Sequence, residues 1–188
     1  SNSNDILTRF FESGNMKMTG VHPTTSPSMD IQISSNFERL LFELYGRDGN
    51  IIRDMMNTFK DTGSFSVGVK QMHQALELFS AARYSDDEVS ETIARVLAEN
   101  DLLLDPHSAI GVAAGRAKRA NLQTPLVALA TAHPAKFPDA VAAASGQHPA
   151  LPDKLSGLFE RTEHFSVLDN DVAQVQDFIE THRTDGAA

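Results

Sequence analysis

Apolar residues recur every three or four positions along much of this 188-residue chain, which is the spacing of amphipathic helices. The pattern predicts about eight helices, and a short further helix is expected over residues 152–159. Because only two or three short segments read as strands, the chain is expected to be predominantly helical. The predicted helices lie near residues 5–11, 37–45, 51–62, 69–79, 86–97, 106–117, 138–144 and 172–179.

Several of these predicted helices carry recognisable start signals. Ser35 and Ser85 each precede a glutamate by three positions, which is the capping-box pattern. Asn50 is a candidate N-cap for the next helix, and Gly63 is a candidate stop for it. Asp105 stands directly before Pro106, a residue suited to the first helical turn. In the same way, Asp171 is predicted to cap the final helix.

Two segments read as strands. The apolar run 126–131 is closed by polar residues and proline, which is typical of a buried strand that ends in a loop. Residues 164–168 alternate between polar and apolar like a half-buried strand. So few strands cannot form a complete doubly wound sheet. We therefore expect either a helical fold with a small sheet or part of a larger α/β protein, with residues 49–104 as a helical insertion between 1–48 and 105–188.

Charge and composition exclude several classes of function. Sixteen Lys and Arg against 25 Asp and Glu leave a net charge of −9, which argues against binding nucleic acid or an anionic membrane. The chain has no cysteine, hence no disulfide, no thiolate metal site and no cysteine nucleophile. No signal-peptide pattern and no apolar run of about 20 residues is present, so a cytoplasmic protein is expected. Residues 1–3 are interpreted as a cloning remnant without structural meaning.

The polar residues at the end of the first predicted strand are candidates for chemistry. Thr131 places a hydroxyl where ligands bind in α/β sheets, and it would be a neutral partner for an aromatic nitrogen. The alternative is a turn threonine that bonds its own backbone. His133 and Lys136 fit either a ligand site or a solvated loop. The histidines lack the spacing of a helical zinc site, so no metal is predicted.

Two further stretches leave a functional and a structural interpretation open. The hydroxyls of Ser26 and Ser28 precede a predicted helix start, where an anion could bind, but ordinary turn and capping chemistry explains them equally well. Gly111 and Gly115 resemble a glycine loop only superficially. Because they lie in an alanine-rich helix, close packing is the preferred explanation.

Three blocks of sequence together resemble threonine synthase. They are HPTTSPSMDIQISSNFERLLFEL (22–44), LLLDPHSAIGVAAG (102–115) and ATAHPAKFPDAV (130–141). The resemblance implies a pyridoxal-phosphate enzyme with a fold like that of the tryptophan synthase β subunit (fold type II). Such an enzyme converts O-phosphohomoserine and water to threonine and phosphate, with the cofactor as electron sink.

The resemblance also implies roles for individual residues. Thr131 is similar in position to the hydroxyl residue that bonds the pyridine nitrogen of the cofactor. Asp105 and His107 would lie near the cofactor ring. The block most typical of the family would line the substrate region with the side chains of Ser26, Ser28, Asp30, Ser35 and Asn36.

The resemblance does not supply a complete active site. The family's lysine that anchors the cofactor and its glycine-rich phosphate cup precede the blocks found here, so no catalytic residue is assigned. Lys60 reproduces the local Phe-Lys-Asp triplet but lies after the SPSMDI block, and it is interpreted as a surface lysine. We expect the C-terminal part of a longer enzyme, inactive alone, without bound cofactor, and prone to self-association through uncovered surfaces.

The sequence is also compatible with two alternatives. One is another pyridoxal-phosphate lyase of the same fold. The other is an independent helical interaction module without catalysis. A closed core would favour the module, whereas an apolar face left uncovered would favour part of a larger enzyme.

Overall fold

Eight α-helices and one two-stranded sheet form the regular structure of residues 1–183, the part of the chain that this computed structural model describes. The prediction of a predominantly helical chain with few strands is confirmed. The helices are α1 (Ile6–Ser13), α2 (Glu38–Leu44), α3 (Gly49–Thr62), α4 (Val69–Leu78), α5 (Asp86–Asn100), α6 (Pro106–Lys118), α7 (Pro138–Ser145) and α8 (Val172–His182). The strands are β1 (Asn15–Lys17) and β2 (Ser64–Ser66), and short 3-10 turns lie at Pro27–Met29, Ser35–Phe37, Pro134–Lys136, Asp153–Leu155 and Leu158–Glu160.

The chain divides into two units, Ser1–Ala150 and Leu151–Ala188. In the second unit, two 3-10 turns replace the single short helix predicted over 152–159, and Gly157 lies between them. The final helix begins as predicted, since the Asp171 side chain accepts a hydrogen bond from the backbone N–H of Gln174 at 2.9 Å. The proposed boundaries of the insertion, at 48/49 and 104/105, stay a prediction.

The larger core of the first unit is built around Phe10, which is completely buried. Its ring meets that of Phe37 edge to face, with centroids 4.8 Å apart. Residues from both sides of position 48 contribute to this core, among them Leu41 and Ile52. The sheet seals it, because β1 and β2 pair antiparallel with Met16 opposite Phe65, and both side chains are buried.

A second core holds the elements that carry the candidate site. Val89, Ile93 and Val96 on α5 pack against Ala109 and Ile110 on α6, and all five are buried. Helix α7 also packs against α5. The start of α5 has the predicted capping box, since Ser85 and Glu88 each bond the other's backbone N–H. These contacts fix the position of α6.

Both predicted strands are wrong for the described structure. Residues 126–131 and 164–168 have no strand pairing, and within residues 1–183 the only sheet is β1–β2. The physical reason is that a strand exists only where its backbone has a hydrogen-bonding partner. Val127 and Leu129 are 79% and 73% exposed, and Phe165 is 77% exposed. The first of these segments therefore leaves an apolar face uncovered.

Two predicted caps differ from the structure. Ser35 makes no capping bond; a 3-10 turn comes first, and α2 begins at Glu38. This tight turn carries Phe37 to its place beside Phe10. The cap of α3 is Asp48, whose side chain accepts from the backbone N–H of Asn50 at 2.9 Å. Gly63 ends that helix as predicted, with a left-handed φ of 74°.

An ion-pair cluster ties α1 to the segment before α5. The Asp5 carboxylate accepts from Arg9 Nε at 2.8 Å and from Arg83 Nη1 at 3.0 Å. Desolvation by itself would raise the pKa of Asp5, but the hydrogen bonds and positive charges of Arg9 and Arg83 outweigh it and hold the pKa below the ordinary 3.8. The stabilisation is therefore present at neutral pH and is lost as the pH falls through the lowered pKa.

Candidate functional site

The N-terminus of α6 is the centre of the candidate site. Asp105 caps it: Oδ1 accepts from the backbone N–H of Ser108 at 3.2 Å, and Oδ2 accepts from that of His107 at 2.9 Å. Oδ2 also lies 2.9 Å from His107 Nδ1. Asp105 is 1% exposed, and both of its carboxylate oxygens are used within the chain.

His107 joins this helix terminus to the loop 22–30. Its Nε2 accepts a hydrogen bond from the backbone N–H of Ser28 at 3.2 Å, so that nitrogen carries no proton. The proton is therefore on Nδ1, where it is donated to Asp105, and the imidazole is neutral. The ring packs on Phe137 with centroids 4.5 Å apart. His107 is thus held on both nitrogens and on one face.

The order Asp105, His107, Ser28 resembles a hydrolase triad, but its geometry excludes that chemistry. A triad histidine accepts a proton from the serine hydroxyl at Nε2. Here Nε2 accepts from the backbone N–H of Ser28, and so is not free to act as base toward the hydroxyl. The arrangement positions the loop and does not activate a nucleophile.

The loop 22–30 is organised around Asp30. Its Oδ1 accepts from Asn2 Nδ2 at 2.7 Å, from Asn4 Nδ2 at 2.8 Å and from Thr24 Oγ1 at 2.6 Å. Its Oδ2 accepts from the backbone N–H of Thr24 at 2.9 Å. Four donors from the chain therefore surround this carboxylate. Separately, Thr25 is tied to Asp86 at the start of α5, through its N–H and its hydroxyl.

Asn2 and Asn4 are functional candidates that the sequence interpretation missed. The expectation that residues 1–3 have no structural meaning is wrong for Asn2: it is fully buried, and its Nδ2 also lies 3.0 Å from Ser26 Oγ. Asn4 is 4% exposed and bonds both the N–H and the C=O of His22. Their partners lie about 20 positions away along the chain. Local pattern carries no signal for contacts of that kind.

Thr131 lies beside the same helix terminus. Its backbone N–H donates to Ser108 Oγ at 3.1 Å, while its side chain is exposed. The alternative of a turn threonine bonding its own backbone is not observed, since the Thr131 hydroxyl makes no hydrogen bond to any of residues 1–183. The hydroxyl is therefore available to a partner outside the described chain.

A cleft of about 440 Å³ opens next to Thr131. Ala130 and Ala132 line it, whereas Thr131 does not. The lining is largely apolar. The remaining lining residues are Leu102, Leu103, Leu104, Asp105, Ser108, His133, Pro134, Pro149 and Ala150.

The structure separates the predicted substrate residues into two groups. Ser26, Ser28 and Asp30 lie together in the loop held by Asn2 and His107. Ser35 and Asn36 are exposed in the turn before α2, and within residues 1–183 neither side chain bonds to that loop. Ser26 is completely buried, whereas Ser28 is exposed.

The structure also places the two candidate lysines, Lys60 and Lys136, and the candidate histidine His133. Lys60 is exposed in the last turn of α3, beside the buried Phe59, as a surface lysine would be. Lys136 places its Nζ 5.5 Å from the centroid of Phe137, the ring that packs on His107. His133 accepts from the backbone N–H of Ala135 and caps a turn. In residues 1–183 no three His, Asp or Glu side chains converge as metal ligands, and no helix is long and apolar enough to span a membrane.

Gly115 allows the side chain of Leu126 to approach α6 closely. A Cβ there would lie 3.1 Å from both δ-carbons of Leu126, whereas a Cβ on Gly111 would meet nothing within 4 Å. Both positions would gain up to about 1 kcal/mol of helix propensity from alanine. We expect Gly111→Ala to raise the free energy of unfolding by about that amount, and Gly115→Ala to raise it less or lower it. Urea titration of both variants tests this, and equal gains would contradict the packing role of Gly115.

Comparison with known proteins gives a consistent result. The family model described as threonine synthase, C-terminal, matches residues 108–179. Threonine synthase from Pseudomonas aeruginosa is 48% identical over 187 residues, which cover 99% of this chain and 40% of that protein. The solved structure of PLP-bound threonine synthase from Brucella melitensis is similar with a TM-score of 0.86 and 52% identity, covering 97% of this chain and 39% of that one. For the yeast enzyme the TM-score is 0.80 at 36% identity, with 95% and 40% covered. The chain thus spans about 40% of the length of these relatives.

Proposed function

We propose that this chain, which matches the C-terminal part of threonine synthases in sequence and in structure, belongs to an enzyme that converts O-phosphohomoserine and water to threonine and phosphate. The observation that carries the proposal is the meeting of the three family-like blocks at one helix terminus. Ser28 of the first block bonds His107 of the second, and Ser108 of the second bonds Thr131 of the third. Hydrogen bonds thus join all three blocks.

The residues at this terminus fit one side of a pyridoxal-phosphate site. When bound, the cofactor supplies an electron sink for breaking bonds at the substrate carbon atoms. The exposed hydroxyl of Thr131 suits a neutral partner for the pyridine nitrogen. Asp105 and His107 are proposed to act on the ring indirectly, by fixing the start of α6. The covalent lysine and the phosphate cup are proposed to come from the part of the relatives that this chain does not span.

The uncovered segment distinguishes this proposal from an independent helical module. Leu122, in a turn, and Val127 and Leu129, in the unpaired segment that follows it, are 73–79% exposed. Large apolar side chains exposed within so short a stretch of chain normally require cover. We infer that the rest of the enzyme covers it, and that the chain alone self-associates through it. A second pyridoxal-phosphate lyase of this fold remains the alternative enzyme, and residence in the cytoplasm stays a prediction.

The function is tested with two proteins: the 188-residue chain and the full-length enzyme that contains it. Both are incubated with pyridoxal phosphate and O-phosphohomoserine, and released phosphate and threonine are measured. We expect turnover by the full-length enzyme, and none by the chain, because a missing covalent anchor and phosphate site remove most of the cofactor's binding energy. Turnover by the chain alone would contradict its proposed dependence on the remainder.

Two further outcomes separate the alternatives. A full-length enzyme that eliminates from another amino acid but not from O-phosphohomoserine would establish the alternative lyase. Borohydride reduction of the chain with cofactor, followed by peptide mapping, tests Lys60 directly. A reduced adduct on Lys60 would show that this surface lysine is an anchor, contrary to the proposal.

A further inference from the structure

We propose that Asn2 is a positioning residue, which holds the loop 22–30 so that Ser28 is the side chain of that loop presented to the substrate. The inference rests on the proposed function for the identity of the substrate. Its structural part, the control of the loop by Asn2, rests only on contacts within the chain.

The position of Asn2 makes it the hub of the loop. Its Nδ2 lies within 3.0 Å of three side-chain oxygens, those of Thr24, Ser26 and Asp30. Its Oδ1 accepts from the backbone N–H of Asn4 at 2.8 Å. The amide has two hydrogens to share among these oxygens, and the side chain is completely buried, so its removal leaves buried acceptors and the N–H of Asn4 short of partners that water cannot readily replace. Truncation of the Asn2 side chain is therefore expected to loosen the loop 22–30.

The same contacts narrow the set of substrate residues in this loop. Asp30 is surrounded by four donors from the chain, and Ser26 is completely buried against Asn2. Ser28 differs from both, because its side chain is exposed while its backbone N–H is fixed by His107. A hydroxyl on a fixed backbone is preorganised to bond an anionic substrate. We therefore assign Asp30 and Ser26 to the support of the loop and Ser28 to substrate contact.

The test is a double-mutant cycle in the full-length enzyme, with KM for O-phosphohomoserine as the readout. Ser28→Ala and Asn2→Ala are each expected to raise KM about tenfold, the value of one hydrogen bond to a charged ligand. If Asn2 acts through Ser28, KM of the double variant should exceed the larger KM of the two single variants by no more than about twofold. A KM about a hundredfold above that of the unmodified enzyme would mean that the two residues act independently, and would overturn the positioning role of Asn2. Asn15→Ala, at an exposed asparagine on β1, is the matched control and should leave KM unchanged.

Amide hydrogen exchange in the 188-residue chain tests the structural part separately. The backbone N–H groups of His22, Thr24 and Ser28 are bonded by Asn4, Asp30 and His107. Asn2→Ala should speed their exchange at least tenfold, while the amides of α3 keep their rates. Asp30→Asn, which retains the shape but loses one acceptor for Thr24, should give a smaller change in the same direction. Unchanged exchange in Asn2→Ala would overturn positioning, whereas an inactive full-length enzyme with changed exchange would overturn only the function.

Discussion

Replacing Asp105 with alanine is expected to lower the free energy of unfolding of the first unit by roughly 3 kcal/mol. An N-cap is worth about 1 kcal/mol, and each buried hydrogen bond to a charged group about 1.5–3 kcal/mol. Asp105 accepts from two backbone N–H groups and from the imidazole of His107, all buried. Urea unfolding followed by circular dichroism measures the loss.

The matched control is Asp48→Ala. Asp48 caps α3 in the same way, accepting from the backbone N–H of Asn50, but it is exposed and has no histidine partner. Its removal should cost about 0.5–1 kcal/mol, the usual value of an exposed cap. Equal losses for the two variants would mean that burial and His107 add nothing at Asp105.

Replacing Phe10 with alanine should have an effect at least as large, about 4 kcal/mol. Phe10 is completely buried, and its ring meets both Phe11 and Phe37 edge to face. Loss of a buried phenylalanine removes its transfer free energy and leaves a cavity, together about 3–5 kcal/mol. The measurement is again the free energy of unfolding from urea titration.

Phe79→Ala is the control for this core variant. Phe79 is 45% exposed, and its ring lies next to that of Phe11, which in turn contacts Phe10. Because much of its surface already contacts water, we expect a loss of about 1 kcal/mol. If Phe79→Ala destabilised the chain as much as Phe10→Ala, the described core would not be centred on Phe10.

The comparison of Asp105 with Thr131 shows how far local pattern reaches. The cap at Asp105 was predictable because a capping aspartate and a first-turn proline both act within a single helical turn, and the structure confirms it. The strand ending at Thr131 was inferred with equal local support, yet residues 126–131 are unpaired here. A helix satisfies its own backbone within the segment, whereas a strand requires a partner from elsewhere.

The recognition of threonine synthase from three blocks is confirmed, and so is the match to a C-terminal part. The proposed roles in binding cofactor and substrate stay predictions for Thr131, Asp105, His107 and the residues of the loop 22–30. The structure gives the positions and hydrogen bonds of these residues. His107 shows what the structure adds. Its position near the cofactor ring was implied only by the resemblance, whereas its tautomer and its hydrogen bond to Ser28 follow from the distances in the structure. These distances could not be read from the chain.

The sequence by itself determined the helices, most of their caps and the net charge, since each depends on neighbouring residues or on total composition, and its three blocks carried the resemblance to threonine synthases. Only the tertiary structure decided that Asn2 is buried at the centre of the loop 22–30 and that four donors from the chain bond the Asp30 carboxylate. It also decided that Val127 and Leu129 are exposed. The physical reason is the range of the interactions. Caps and amphipathic faces are made within one or two turns, but buried hydrogen bonds join residues whose proximity is set by the folding of the whole unit.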